Sequence, residues 1–292
     1  MRCKKTKKVV IMLAMIMIMI IGILPFKPTT TFAQSNNDFE IDGNGCLMSY
    51  NGTGGKITIP NGVKIIGENA FSGNNTIFSI KMPSSVKKIE RGAFDSCSSL
   101  KEITFSKKLS MIGDSSFWGC TSLKTVSIPD SVKKIGIGAF GNCDNLKSIY
   151  IPKTVKEIGN YAFGFVYYGD YVPVIDFVLM GENKTVAKTY ADKYNIKFIT
   201  KSSLKTTLSS VSKKNSNKIK IKWKKNINTS GYEIQYSSNK HFTSTKCINI
   251  KSNNKTSYTL NTKKKNGYIR IRGYRIVGGI KYYSAWSKVK KF

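Results

Sequence analysis

The sequence predicts two mainly β domains in series: a solenoid of short stacked coils over residues 34–202, then an all-β sandwich over residues 203–292. Three observations predict this. A 23-residue period runs without insertion from Val63 to Phe163, alternating strands with no period fill the second domain, and charge divides unequally between the two.

The chain begins with a different kind of segment. Arg2, Lys4, Lys5, Lys7 and Lys8 precede an unbroken apolar run from Val9 to Leu24, and Thr31-Phe32-Ala33 supplies small residues for cleavage. That layout predicts a secretory signal peptide over residues 1–33. An uncleaved anchor is the alternative, although 16 apolar residues fall short of the roughly 20 that a spanning helix needs. Cys3 stands before the apolar run, not at a cleavage site, which argues against a lipoprotein. The mature chain is expected to be exported, with no transmembrane span after cleavage.

The period comes next. Phe71, Phe94, Phe117, Phe140 and Phe163 fall 23 residues apart, as do Ile66, Ile89, Ile112, Ile135 and Ile158, and Val63, Val86, Leu109, Val132 and Val155. A fixed period of about 20–29 residues marks a leucine-rich repeat solenoid, because one unit cannot bury its apolar face alone. LKEITF, LKTVSI and LKSIYI alternate apolar and polar residues and read as strands, closed by Pro60, Pro83, Pro129 and Pro152. Proline ends a strand because it cannot donate to the ladder. From V-x-x-I to A-F the chain is expected to return over the opposite face by short helical or irregular segments. FEIDGNGCLMSYNGTGG reads as a hairpin cap, TVAKTYADKY and the strand after it as a closing cap, and GFVYYGDYVPVIDFVLM as a loop interrupting the last coil.

Without Cys3 five cysteines remain, with no C-x-x-C pair, so neither a disulfide scaffold nor a zinc site is indicated. Cys97, Cys120 and Cys143 keep the coil period and read as buried thiols. The register IP..V..IG..AF..C..L, nearly whole from Ile128 to Leu146, resembles the BspA-like leucine-rich repeat family of bacterial surface and secreted proteins over about residues 38–200. Ser106 replaces the proline and Ser116 the alanine in one coil. The resemblance implies binding through the solenoid faces, with adhesion the usual role and no shared catalytic residue.

From Ser203 the period stops. Ile219, Ile221 and Trp223 alternate with lysines, and GYEIQYS, KCINI, SYTL, YIRIRGY and YYSAWSKVKKF follow. About seven short strands in this length predict a β-sandwich. Their order resembles a fibronectin type III domain of the kind that trails many Gram-positive surface proteins, although Gly267 stands where that resemblance implies a tyrosine. Arg270 and Arg272 fall on one strand face, and Trp286, on the next strand, is expected to stack between them.

Residues 34–202 carry 20 Lys+Arg against 15 Asp+Glu, whereas residues 203–292 carry 22 against one, Glu233. Such asymmetry speaks to partners rather than to fold. Lys218, Lys220, Lys222 and Lys224 project from one face at intervals of roughly 6.7 Å, with Lys225 beside them. They form a candidate polyanion surface for wall polymers, acidic glycans or anionic lipid; the plainer reading is a lysine-rich face that blocks edge pairing. No recognition helix or stacking platform suggests a specific nucleic-acid partner.

Chemistry is sparse. His241 is the one histidine, and H-E-x-x-H, G-x-S-x-G and phosphate-loop motifs are absent. Asp38, Glu40 and Asp42 imitate the opening of a calcium loop, but Ser49 stands where its closing Glu is required. No metal, cofactor or catalytic residue is therefore expected; a carbohydrate-active enzyme, which needs paired carboxylates, is the remote alternative. The outward positions of the strand face are the candidate binding surface: Phe78, Lys81, Lys101, Glu102, Thr104, Lys124, Ser127, Lys147 and Tyr150. A second column, Lys64, Lys87, Lys133 and Lys156, runs over the other face. The chain reads as a non-enzymatic, monomeric, secreted or cell-surface protein that meets a host or bacterial surface protein or glycan. The alternative makes the repeats a spacer and the sandwich a tether to anionic wall or host polymers. With no sorting motif and an ending in KVKKF, covalent wall attachment is not expected.

Overall fold

The computed structural model describes residues 36–292, so the expected signal segment and Cys3 lie outside the described residues. The apolar period is satisfied by winding. All five phenylalanines of the register are buried, as are Val63, Val86, Leu109, Val132 and Val155. From Phe71 to Phe140 the rings stack down the axis with centroids 4.9, 5.0 and 5.1 Å apart. Offset aromatic pairs of this kind add about 0.5–1.5 kcal/mol beyond area burial.

Backbone bonding runs along the same axis. The N–H groups of Phe71, Phe94, Phe117 and Phe140 each donate over 2.8 Å to the carbonyl of residue 93, 116, 139 or 162 in the following coil. Cys97, Cys120 and Cys143 are free and buried, and their thiols donate to the carbonyls of Phe71, Phe94 and Phe117 at 3.1, 3.3 and 3.2 Å. Burial pushes the Cys97 thiol up to about 12 and raises the other two as well.

The expected helical or irregular returns are instead the most continuous sheet of the molecule. Cys46–Tyr50, Ile65–Ile66, Lys88–Ile89, Met111–Ile112, Lys134–Ile135 and Glu157–Ile158 pair in parallel, and Phe39–Ile41 adds antiparallel to Cys46–Tyr50. The reason is backbone satisfaction: V-x-x-I turns Val and Ile inward, and the extended polar residues between them need partners that only the next coil supplies. Glycine recurs at the following corner because coils approach closely there; a Cβ on Gly136 would meet the Asp114 nitrogen at 2.4 Å.

The opposite side is less regular than expected. Gly55–Thr58, Ile77–Lys81 and Glu102–Thr104 form one parallel sheet, and Ser148–Tyr150, Val178–Met180 and Lys197–Ile199 another. LKTVSI, expected as a strand between them, contributes only a bridge from Ser127 to Tyr150. At this level a turn of the second domain presses on the coil: a Cβ on Gly278 would lie 2.4 Å from the Val126 carbonyl oxygen.

The ends are closed differently. In the opening hairpin the Asp42 carboxylate accepts from the N–H groups of Asn44 and Cys46, so this acid shapes a turn. At the far end the helix Val186–Lys193 buries Ala187, Tyr190 and Ala191. The Tyr190 hydroxyl accepts from Phe163 N–H at 3.1 Å and donates to Phe163 C=O at 3.0 Å, standing in for the absent next coil. The interruption of the last coil is a hairpin, Phe165–Tyr167 with Tyr171–Pro173.

Residues 208–291 form two antiparallel sheets. Leu208–Asn215, Lys218–Trp223 and Ser257–Asn261 make one; Gly231–Ser237, Thr245–Ile250, Tyr268–Val277, Ile280–Tyr283 and Lys290–Lys291 make the other. Ile219, Ile221 and Trp223 share a buried core with Ile234, Ile269 and Ile271 across the gap. Gly267 exchanges backbone hydrogen bonds with Phe292, whose ring fills the space a side chain would need. Tyr232 fixes the neighbouring corner, its hydroxyl accepting from Asn226 N–H and donating to Asn253 C=O. Arg270 and Arg272 sandwich Trp286 at 4.5 and 4.3 Å, and Phe242 and Tyr283 extend the stack on either side. Trp286 lies outside the strands, held by flanking serines: Ser284 and Ser287 accept from Gly273 and Ile271 N–H.

Candidate functional site

The strand face follows from the burial pattern of each rung. In Ile77–Lys81 the two isoleucines point inward while Phe78 and Lys81 stay exposed. Lys101, Glu102, Thr104, Lys124, Ser127 and Lys147 are likewise exposed. Successive rungs of a parallel sheet stand roughly 4.8 Å apart, so Phe78, Lys101, Lys124 and Lys147 form one column. None of these lysines makes an ion pair among the described residues.

Tyr150 departs from the expectation. Its ring is stacked on Tyr282 of the second domain, with centroids 4.3 Å apart, and Lys201 lies 6.0 Å over Tyr282. Val277 joins Val178, Met180, Ile199 and Leu204 in one buried cluster that bridges the domains. Tyr150 therefore belongs to the domain contact. The open part of the strand face lies toward the first coils, around Phe78, Lys81, Lys101, Glu102, Thr104 and Lys124. Burial, with the nearby charges of Glu182 and Asp130, raises the Tyr150 phenol. Burial beside Tyr150 and Asp130 pushes Tyr282 up to about 12. Sequence reasoning missed this contact; the pair Gly278-Gly279 is compatible with a tight turn but carries no sign of what the turn meets.

The lysine row occupies the middle strand of the three-stranded sheet. Lys220 stands opposite Ser212 and Thr259, and Lys222 opposite Ser210 and Ser257. Lys218, Lys222, Lys224 and Lys225 are exposed and Lys220 is half-buried. Among the described residues no carboxylate pairs with them, and Glu233, the one acid of residues 203–292, is held on the other sheet by the Arg272 guanidinium at 2.7 Å. The face thus sets ammonium groups among hydroxyls and, beside Lys218, the amides of Asn215 and Asn261. His241 is an exposed loop residue, and no cluster of three metal-ligating side chains exists among the described residues.

The column Lys64, Lys87, Lys133 and Lys156 is exposed on the seven-stranded sheet. Next to it Lys134 pairs with Glu157 at 2.7 Å. Two adjoining hollows follow this face, one of about 410 Å³ along Glu68, Glu90 and Asp114, the other of about 560 Å³ against the closing helix. No helix among the described residues is long and apolar enough to cross a membrane.

Comparison with known proteins agrees with the repeat geometry. Residues 46–167 match the BspA type leucine rich repeat region in six copies. No curated protein matches the sequence. The chain is similar to the Treponema pallidum leucine rich repeat protein, with 27% identity, 50% of this chain and 70% of that chain covered, and a TM-score of 0.45. A leucine rich cell surface protein from Faecalibacterium prausnitzii A2-165 shares 32% identity over 42% of this chain and 37% of its own length, with a TM-score of 0.37. The fibronectin type III domain of human collagen XX shares 13% identity over 30% of this chain and 88% of that chain, with a TM-score of 0.24. The six matched copies in this chain, together with the coil-to-coil bonding of the fold, make residues 46–167 a BspA-type leucine-rich repeat region.

Proposed function

We propose that the chain is an exported, non-enzymatic recognition protein that meets a surface protein or glycan through the strand face of its solenoid. One observation carries this reading: the core is complete without the outward columns. Phe78, 39% exposed, and the unpaired Lys101 and Lys124 have no structural duty in the stack. An exposed aromatic on a rigid scaffold is suited to anchor a protein contact, and unpaired lysines beside it favour a partner of opposite charge. Binding of the full chain to immobilised matrix proteins and wall glycans, compared with a Phe78→Ala/Lys101→Glu/Lys124→Glu variant, tests it. Retention of a partner should fall about 10-fold or more, the loss of one or two anchor contacts; equal retention by both chains sinks the reading.

A second reading concerns the sandwich. Its strands pair in the chain order first–second–fifth in one sheet and fourth–third–sixth–seventh in the other, which supports a fibronectin type III-like domain. The uncompensated row Lys218, Lys220, Lys222 and Lys224 favours a tether to anionic polymer. On a heparin column the full chain should elute at lower salt once these four are changed to Gln, because exposed charge contacts are screened over about 10 Å at 0.1 M salt. An unchanged elution point removes the row from that role. Export itself is tested by the fate of residues 1–33: the secreted chain is expected to begin at Gln34.

A further inference from the structure

The period breaks once, and the break gathers aromatic rings. After Phe163 the last coil is interrupted by the hairpin of Phe165–Tyr167 and Tyr171–Pro173. Insertions in a repeat array map to loops on one face, often the face that binds. This hairpin reaches back along the axis to Trp118, the one tryptophan of residues 34–202, at the corner between the two sheets. The Trp118 ring lies 6.2 Å from Tyr171, at right angles to it, and 6.4 Å from Tyr167. Backbone bonds pin the approach: Asn142 N–H donates to Phe165 C=O, and the Asn142 side-chain oxygen accepts from Tyr167 N–H.

The coils are shaped on both sides of this meeting. The Trp118 slot holds Ser72, Asp95, Gly141 and Gly164 in the other coils. The indole lies across the next coil, where a Cβ on Gly141 would stand 2.3 Å from its Cε3 and one on Gly138 3.2 Å. With one side on this bare backbone the ring is still only half-buried, which leaves solvent access on the other. Tyr161 takes the left-handed conformation, φ 54°, that Asn69, Gly92, Ser115 and Gly138 take in the coils before it. A bulky side chain is strained there, yet the Tyr161 ring lies flat on Tyr171, centroids 3.7 Å apart, and holds the hairpin in place. Tyr167 remains 47% exposed. The Trp118 indole N–H and the hydroxyls of Tyr161, Tyr167 and Tyr171 make no hydrogen bond among the described residues. Asp170 is the one charged residue of the hairpin, and its carboxylate accepts from Tyr171 N–H.

We propose that this corner binds a neutral saccharide, with one pyranose ring laid against the Trp118 indole. A pyranose offers a face of C–H groups to an aromatic ring and a rim of hydroxyls to whatever surrounds it. Indole and phenol meet both demands, because each joins an apolar ring to a polar edge. An apolar protein surface would bury these free donors without partners, which is costly. A polyanion would find no cation on the hairpin to meet it. The site lies at the coil corner, apart from the strand face, and does not rest on the reading given for that face.

Affinity electrophoresis of the full chain through gels carrying β-glucan, xylan, mannan or glycol chitin tests the proposal, with polygalacturonate as the charged control. At least one neutral polysaccharide should retard the chain. Trp118→Phe should keep most of that retardation. Trp118→Leu, apolar but not flat, should bind about 10-fold more weakly, as when an anchor side chain is truncated. An oligosaccharide of the retarding polymer should shift one indole N–H resonance of the unaltered chain, the one missing from Trp118→Phe, and leave those of Trp223 and Trp286 in place. Failure of every neutral polysaccharide, retardation by polygalacturonate alone, equal binding by Trp118→Leu and Trp118→Phe, or an unmoved Trp118 resonance would overturn it. The resonance is read on the unaltered chain, so a folding defect in a variant cannot mask the answer.

Discussion

Single side chains report how strictly the stack enforces its repeat. Ser116 occupies the slot filled elsewhere by Ala70, Ala93, Ala139 and Ala162; it is fully buried, and its hydroxyl has no hydrogen-bond partner. An unsatisfied buried polar group costs about 1–3 kcal/mol. Ser116→Ala should therefore raise stability, and urea unfolding should show a higher midpoint at unchanged slope. A lower midpoint would mean that the hydroxyl has a partner. The same logic separates the cysteines. Exposed Cys247 stands apart from Cys97, Cys120 and Cys143, which burial holds in the thiol form.

At the level of elements, the closing helix is the piece whose duty is most specific. Tyr190→Phe keeps the packed ring but leaves the N–H and C=O of Phe163 without partners, at a cost of about 1–3 kcal/mol. Melting of the variant should begin at the closing end, visible as faster amide exchange at Phe163 and in its coil than in coils nearer the opening hairpin. The sequence made much of this level legible. The phenylalanine column rests on the 23-residue period, the opening hairpin on its glycine-bearing turns and the Arg270–Trp286–Arg272 stack on two arginines at alternate positions of one strand, all of which primary structure records directly. The returns escaped because strands of two residues, such as Lys88–Ile89, are too short to display alternation. The gap at LKTVSI escaped because the alternation is present in the residues and the ladder is not.

For the whole molecule the decisive feature is the contact between the domains, which no local pattern announces. It places Tyr150, half-buried, in the junction between the domains, so the sequence offered a candidate face without showing how far that face stays open. The contact should depend on pH. Tyr282 titrates at about 12 in the folded chain against an ordinary 10.0. Its contribution is therefore fully present below the lower value and is lost as pH rises through the higher one. A Tyr282→Phe chain should lose less melting temperature than the parent between those two values; identical curves would show that the phenol plays no part.

The hand-over of bonds from coil to coil has one more consequence, for reach. The first levels present matching ladders to their successors, so a chain spliced from Pro60 to Ser84 lacks one complete level while both terminal covers and the interdomain seam stay intact. Such a protein is shorter along its axis by roughly 4.8 Å and otherwise unaltered. Distance between the two ends is thus a dial with fixed clicks, turned by whole copies and never by single amino acids.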